Sequence, residues 1–352
     1  MAEIQNLKDK LDSKDMHGLI AAMPEHLQDG LRIGKEASLT GIKPSNVEVI
    51  LVAGMGGSAI AGDIARSFLT NEIRIPLLVI RNYRLPAYTG KSALVICSSY
   101  SGNTEETISA YNEAKSRGAQ VLAITSGGEL AQKAGEDNYP VVKIAGGLPP
   151  RAALGYSFSA LLAILSRLGF CDDHTAELSD TIAELRNRLK EYDIANISNP
   201  ALDLANYFHG SLPFIYAGCE KLEAVATRFR GQINENAKSL AFTNFIPELN
   251  HNEIVGWHNL QCADDKFRIL ILEDEDDHKR IKARIEIVSE YLSQKGIGVK
   301  ILDSEGKSPL ERIFNMIQYL DFTSYFLSLL NGVDPFPVVA IDYLKDRLAN
   351  MN

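Results

Sequence analysis

The sequence predicts an α/β protein of two similar units, each a parallel sheet flanked by helices in an αβα sandwich, with helical segments at both ends. Three observations carry that expectation. Short apolar runs alternate with stretches of helical periodicity, the pattern of strands feeding crossover helices. The alternation occurs twice, and the second pass repeats the order of the first, as an internal duplication would. A chain of 352 residues is also long enough for two domains of ordinary size.

Taken in order, residues 4 to 40 place Leu7, Leu11, Leu19, Ile20, Met23, Leu27 and Leu31 at helical spacing, giving a helical segment over 1–45. The first unit spans 46–170. In it "VEVILVAG" reads as a buried strand, "SAIAGDIARSFL" as a helix, "PLLVIRN" and "SALVICS" as strands, "EETISAYNEAKSRG" as a helix ending at Gly118, and "AQVLAIT" as a fourth strand. "YSFSALLAILSRLGF" adds a helix that covers or leaves this unit. Residues 171–200 are charged and helix-like, end at "SNP", and form a connector. In the second unit, 201–305, "PFIYAGCEKLEAVATRFRG" mirrors the first strand and helix, and "FRILILEDEDDHKRIKARIEIVSEYLSQKGIGVKIL" mirrors the stretch from "SALVICS" to "AQVLAI". Residues 306–352 are a helical tail.

Composition narrows the function. Hydrophobic residues make up 45% and charged residues 23%, an ordinary globular balance, and no apolar stretch reaches the roughly eighteen residues of a membrane span. The amino end, "MAEIQNLKDK", lacks the hydrophobic core of a signal peptide, so a cytoplasmic protein with no membrane partner is expected. A formal charge of −9 without a basic stripe opposes nucleic-acid binding. Cys97, Cys171, Cys219 and Cys262 are too scattered for a zinc site or a disulfide framework, and are expected to be buried thiols.

The two units differ where chemistry would occur. After its third strand the first carries "SSYSGNTEET", hydroxyls and a glycine crowded onto a strand end before a helix. Hydroxyls and free N–H groups at a helix amino end suit a phosphate and need no cation. Gly102 would supply the tight turn. A serine-rich N-cap is the plainer alternative. "GMGGSAIAG" sets Gly54, Gly56, Gly57 and Ser58 at a neighbouring strand end, so two such loops would face one another where ligands sit in open parallel sheets. The corresponding loop of the second unit holds Glu273, Asp274, Glu275, Asp276 and Asp277, which would repel an anion. "GMGGSA" also approaches the dinucleotide fingerprint, and Arg81 after the next strand would suit a 2′-phosphate, so an NADP oxidoreductase is a competing reading. A nucleotide P-loop is excluded, because no Gly-Lys-Ser/Thr follows the glycines.

With "GLPPRAALGYSF", "INENAK" and "ELNHNEIVGW" following in order, the two loops resemble the sugar isomerase (SIS) fold proteins, and within them the bifunctional phosphoglucose/phosphomannose isomerases. The resemblance runs through both units and into the tail. It implies two SIS-type domains and reversible conversion of glucose 6-phosphate, and with it mannose 6-phosphate, to fructose 6-phosphate through a cis-enediolate, with no cofactor or metal. It implies that Gly57, Ser58, Ser99, Ser101 and Thr104 contact the phosphate. It gives Arg151 the enediolate oxygen, Glu235 the proton passed between C1 and C2, and His251 ring opening with Lys345 assisting. It also implies a homodimer in which His251 enters the neighbouring subunit's site.

Each catalytic assignment competes with a plainer one. Arg151, just ahead of a helix, sits where the dipole disfavours a cation, so it is either solvated or compensated by an anion. Glu235 falls opposite the apolar stripe Leu222, Ala226, Phe229, Ile233 and Ala237, which reads as a solvated face, although Asn234 and Asn236 beside it could orient a carboxylate. His251 is chosen over His258 by the motif alone. Lys345 stands on a terminal helix with Val339, Ile341 and Leu344 nearby, where a solvated lysine is the bland reading. One departure is visible. The family's activity on both epimers is tied to a tail threonine, and residues 332–352 contain none, with Phe336 and Val338 standing there instead. A sugar-phosphate sensor on the same fold would need the loops without Glu235, His251 or Arg151, and usually carries a helix-turn-helix that this chain does not advertise.

Overall fold

The computed structural model describes residues 2–259 and 266–351. Five parallel strands, β1 (Val49–Ala53), β2 (Leu77–Ile80), β3 (Ala93–Ser98), β4 (Gln120–Thr125) and β5 (Val141–Lys143), form one sheet in the order β2-β1-β3-β4-β5. Four more, β6 (Leu212–Gly218), β7 (Phe242–Ile246), β8 (Phe267–Glu273) and β9 (Gly298–Asp303), form a second parallel sheet in the order β7-β6-β8-β9. Both are flanked by helices, as the alternating sequence pattern predicts. Among the described residues no helix is long and apolar enough to cross a membrane.

Period-two alternation explains why the strands are almost wholly apolar. Ile50, Val52, Leu94 and Ile96 enter one core, while Val49, Leu51, Val95 and Cys97, one residue out of phase, enter another on the opposite face. The first core is continuous with the second domain through Phe158, Phe314, Ala226, Phe229 and Ile215. At its centre lies the helix Pro309–Leu330, buried along nearly its whole length. It packs on the helices Glu223–Asn236, Pro200–Phe208 and Thr175–Arg188, and Phe314 meets Phe158 of helix Leu154–Arg167 at 4.9 Å between rings. Thus the front half of the expected tail lies inside the molecule, while its last helix, Val339–Ala349, has no buried residue.

Strand β5 and the helix Gly128–Glu136 before it escape the sequence pattern, because "YPVVK" is short and opens on proline. The expectation of buried thiols holds for Cys97 alone: burial pushes that thiol up to about 12, Cys171 is half-buried, and Cys219 is exposed. Cys219 is exposed because it follows the last residue of β6, where the chain leaves the sheet. Cys262 lies outside the described residues.

Each sheet reverses its strand order once, between β1 and β3 in the first and between β6 and β8 in the second. The crevice at the carboxyl ends of such a pair is the usual ligand position. In the first sheet it is bounded by the Gly54–Ser58 and Ser99–Thr104 loops. In the second it is filled. Arg312, from the central helix, bonds Asp274 at 3.0 and 3.2 Å and also pairs with Glu275 and Asp276, while Asp277 lies against Gly218. The acidic loop therefore repels anions and is also occupied by a guanidinium of its own chain.

The turn at Gly102 is demanding in two ways: its φ is +72°, and a Cβ there would lie 1.8 Å from the Gly127 carbonyl oxygen. Gly118 has a similar φ of +70° but only a lysine side chain within reach, at 3.6 Å. Gly118→Ala should cost about 1 kcal/mol through backbone strain alone. Gly102→Ala should cost at least twice that, about 2 kcal/mol or more, because the loop must also move. Denaturant unfolding of both variants checks this, and equal losses would contradict the packing described.

Candidate active site

The two loops at the first crevice are joined to each other. The Ser58 hydroxyl accepts the Tyr100 N–H at 3.1 Å, and a Cβ on Gly54 would meet the Ser98 carbonyl oxygen at 2.6 Å, so only glycine allows this approach. Helices Gly56–Phe68 and Glu105–Ser116 both begin here, and no side chain caps either amino end. Their first N–H groups are thus available to an anion, and the dipoles favour one.

Of the five expected phosphate residues, all line this crevice, but their hydroxyls are not equivalent. Ser58 and Ser99 are buried; Ser99 accepts from the Gly102 N–H at 3.1 Å and lies 2.8 Å from the Thr104 hydroxyl. Ser101 is exposed, and Thr104 and Gly57 are half-exposed, with the Thr104 hydroxyl turned to Ser99. Thr104 is the N-cap residue by position, yet it makes no capping bond. The plain N-cap reading therefore fails for it. Arg81, the residue that would suit an NADP phosphate, pairs with Asp63 of the adjoining helix.

Gly57 connects the loops to the catalytic candidates. A Cβ on it would sit 2.5 Å from the carbonyl oxygen of Pro150, in the short 3-10 turn Pro150–Ala152 that carries Arg151. Arg151 is only 5% exposed. Its Nε donates to Asn236 Oδ1 at 2.7 Å and its Nη2 to the carbonyls of Pro335 and Phe336 at 2.7 and 2.8 Å, while Nη1 approaches Glu235 Oε2 at 3.5 Å. Burial lowers the proton affinity of this guanidinium, Glu235 opposes that shift, and neighbouring Arg228 adds to it. The cation is held mainly by neutral oxygens, which leaves its charge little compensated.

Glu235 is not on a freely solvated face. Its side chain is 34% exposed and turned towards Arg151, while the stripe from Leu222 to Ala237 is buried as predicted. The helix Glu223–Asn236 has a second buried row, Arg228, Gln232 and Asn236, that the apolar pattern does not reveal. Asn236 donates to Ser324 at 2.9 Å, and Arg228 pairs with Asp321 at 2.5 Å while donating to the Arg151 carbonyl at 2.8 Å. The central helix therefore positions Arg151 twice, at its backbone through Arg228 and at its guanidinium through Asn236. The four-residue spacing of 228, 232 and 236 puts these polar groups on one face, a pattern that in the sequence is the same as that of a solvated side.

His251 and Lys345 do not join this group within one chain. His251 ends the 3-10 turn Glu248–His251 beyond β7, is exposed, and makes no hydrogen bond among the described residues. Glu235 precedes β7 and His251 follows it, so the two lie at opposite ends of a five-residue strand, about 17 Å in length. His258, the histidine passed over, is exposed in the turn Trp257–Asn259. Lys345 is exposed on the helix Val339–Ala349, beside Val339, Tyr343 and Leu344, each more than half exposed. Phe336, weighed above as standing in for a specificity threonine, packs its ring on the core and gives Arg151 its carbonyl.

Comparison with known proteins identifies the family. Residues 45–139 match the SIS domain family, and residues 197–348 match the family described as bacterial phospho-glucose isomerase C-terminal SIS domain. The bifunctional phosphoglucose/phosphomannose isomerase of Caldicellulosiruptor bescii is 42% identical over 94% of this chain and 97% of its own length. That of Aquifex aeolicus is 38% identical over 85% and 90%. Among solved structures, a hypothetical protein from Thermus thermophilus superposes with a TM-score of 0.75 at 18% identity, covering 99% of this chain and 93% of that one. On the strength of these relatives, the chain belongs to the bifunctional phosphoglucose/phosphomannose isomerase family.

Proposed function

We infer that the protein interconverts glucose 6-phosphate and mannose 6-phosphate with fructose 6-phosphate by aldose–ketose isomerisation. The observation that carries this reading is the placement of a carboxylate, Glu235, 3.5 Å from a buried guanidinium, Arg151, whose turn rests on Gly57 of the anion crevice. A phosphate at the paired helix ends would be gripped by Ser101, Thr104, Gly57 and the first N–H groups, with Ser58 and Ser99 shaping the loops beneath. The sugar would then extend towards the carboxylate.

The steps balance as proton transfers. His251, with Lys345 assisting, moves the proton of the C1 hydroxyl to the ring oxygen, which opens the ring and exposes the C1 aldehyde. Glu235 takes the proton from C2, and the electron pair passes to the carbonyl oxygen as a cis-enediolate forms. Arg151 faces the oxygen on which charge develops, in a setting where burial has already removed competing water. Returning the proton to C1, with transfer of the C2 hydroxyl proton to the C1 oxygen, gives the ketose, and re-protonation of C2 on either face yields either aldose epimer. His251 and Lys345 reach a second copy's crevice in a homodimer, which the apolar, uncovered surface of Val339–Ala349 and the exposed Leu240 and Phe242 near β7 favour.

Deuterium incorporation tests the base. In heavy water the wild-type protein should place deuterium on the carbon that receives the proton, and Glu235→Gln should abolish both exchange and net conversion. Persistence of near-normal turnover in that variant would remove Glu235 from the role. Ser101→Ala should raise KM for fructose 6-phosphate about tenfold with little change in kcat, since one hydrogen bond to a charged group contributes about 1.5–3 kcal/mol. An unchanged KM would place the phosphate elsewhere.

A further inference from the structure

Lys238 occupies a position that chain conformation alone would give to glycine. The helix carrying Glu235 ends at Asn236, Ala237 is its C-cap, and Lys238 follows with φ +53°. Glycine adopts that left-handed conformation without strain, whereas a side-chain-bearing residue there is disfavoured by about 1 kcal/mol or more. Non-glycine residues held this way repeatedly mark functional positions. Here the side chain returns over the helix end. Its Nζ donates to the carbonyl of Glu235 at 2.5 Å, to that of Pro335 at 3.2 Å, and more weakly to that of Asn236 at 3.4 Å.

The Pro335 carbonyl is the one that Arg151 also holds. Two cations from different domains thus converge on one oxygen of the segment leading into the Lys345 helix, and one of them also grips the backbone of Glu235. Resting on the isomerase reading above, we propose that Lys238 is a positioning residue: its ammonium fixes the Glu235 carboxylate against Arg151 and tethers the tail segment 334–338 to that pair. It acts through backbone carbonyls and does not touch the sugar.

The charge state matters to such a tether. The Lys238 side chain is exposed along much of its length, but partial burial of its amine, with Arg151 beside it, pulls it down to about 8, against the opposing carboxylates of Asp334 and Glu235, the other charged groups that face it. Below about pH 8 the ammonium has three protons and a full charge for three carbonyls. A site that lowers the proton affinity of the amine holds the ammonium less readily than water does, so the three carbonyls offset only part of its desolvation. The same lysine lines an open cavity of about 400 Å³ with His209, Ser211, Ser239 and Asn331, large enough to admit a small alkylammonium ion.

Lys238→Gly separates positioning from folding, because glycine relieves the backbone strain while deleting the amine. Its melting temperature should match or exceed that of the wild type, while kcat/KM for fructose 6-phosphate falls about ten- to a hundredfold. Methylammonium should restore part of the loss, and amide exchange in 336–349 should quicken. A glycine variant with wild-type kcat/KM, or a loss that methylammonium does not relieve, overturns the proposal. Absence of isomerisation by the wild type would refute the functional reading instead. The tether would then still be decided by exchange in the tail, and unchanged rates there would overturn it.

Discussion

A single buried guanidinium determines much of how this molecule is built. Removing a charge from water costs several kcal/mol after relaxation, and a partner at 3.5 Å recovers only part of it. Arg151 is therefore surrounded by oxygens contributed from three places: Asn236 in the second domain, two carbonyls at the start of the tail, and the Glu235 carboxylate. None of these can shift without leaving donors unsatisfied in a dry interior. The arrangement stores positive potential at a point facing the anion crevice, which is useful for a reaction whose intermediate is an anion and whose substrate is already doubly charged.

Much of this is legible in the sequence, and the boundary of legibility is physical. Period-two strands such as "VEVILVAG" and "SALVICS" announce themselves because both of their faces are buried. The crowded hydroxyls of Ser99 to Thr104 signal a site because capping alone does not require so many donors. By contrast, helical periodicity finds apolar faces and cannot see a buried polar one. Arg228, Gln232 and Asn236 look like a solvated side until Asp321 and Ser324 are placed opposite them. Glu235 reads as solvated for the same reason, since what covers it is Arg151, more than eighty residues earlier in the chain. No local pattern reports such a contact. His251 and Lys345 rest on motif alone, as neither meets the pair within one chain.

The duplication is also informative about how sites are lost. Both sheets retain the strand order that opens a crevice, yet in the second Arg312 occupies it from within, bound to Asp274, Glu275 and Asp276. An intramolecular cation replaces whatever a free crevice would bind, and an ion-pair network replaces a binding function. The second domain contributes instead from its opposite edge, where the helix Glu223–Asn236 ends. In the proposed function one domain would hold the anion and the other deliver the carboxylate.

The helix Pro309–Leu330 also limits how the molecule can move. Its side chains are bonded to the connector at Leu185 and to the second domain at Arg228 and Asn236, and pack on the first through a tilted ring contact with Phe158. A rod pinned to every layer forbids the clamshell swing by which many two-domain enzymes admit their substrates. Entry and exit must then be governed at the rim, by the segment around 334–338 and whatever rests on it, so turnover would be gated by the edge of the molecule while its body stays rigid.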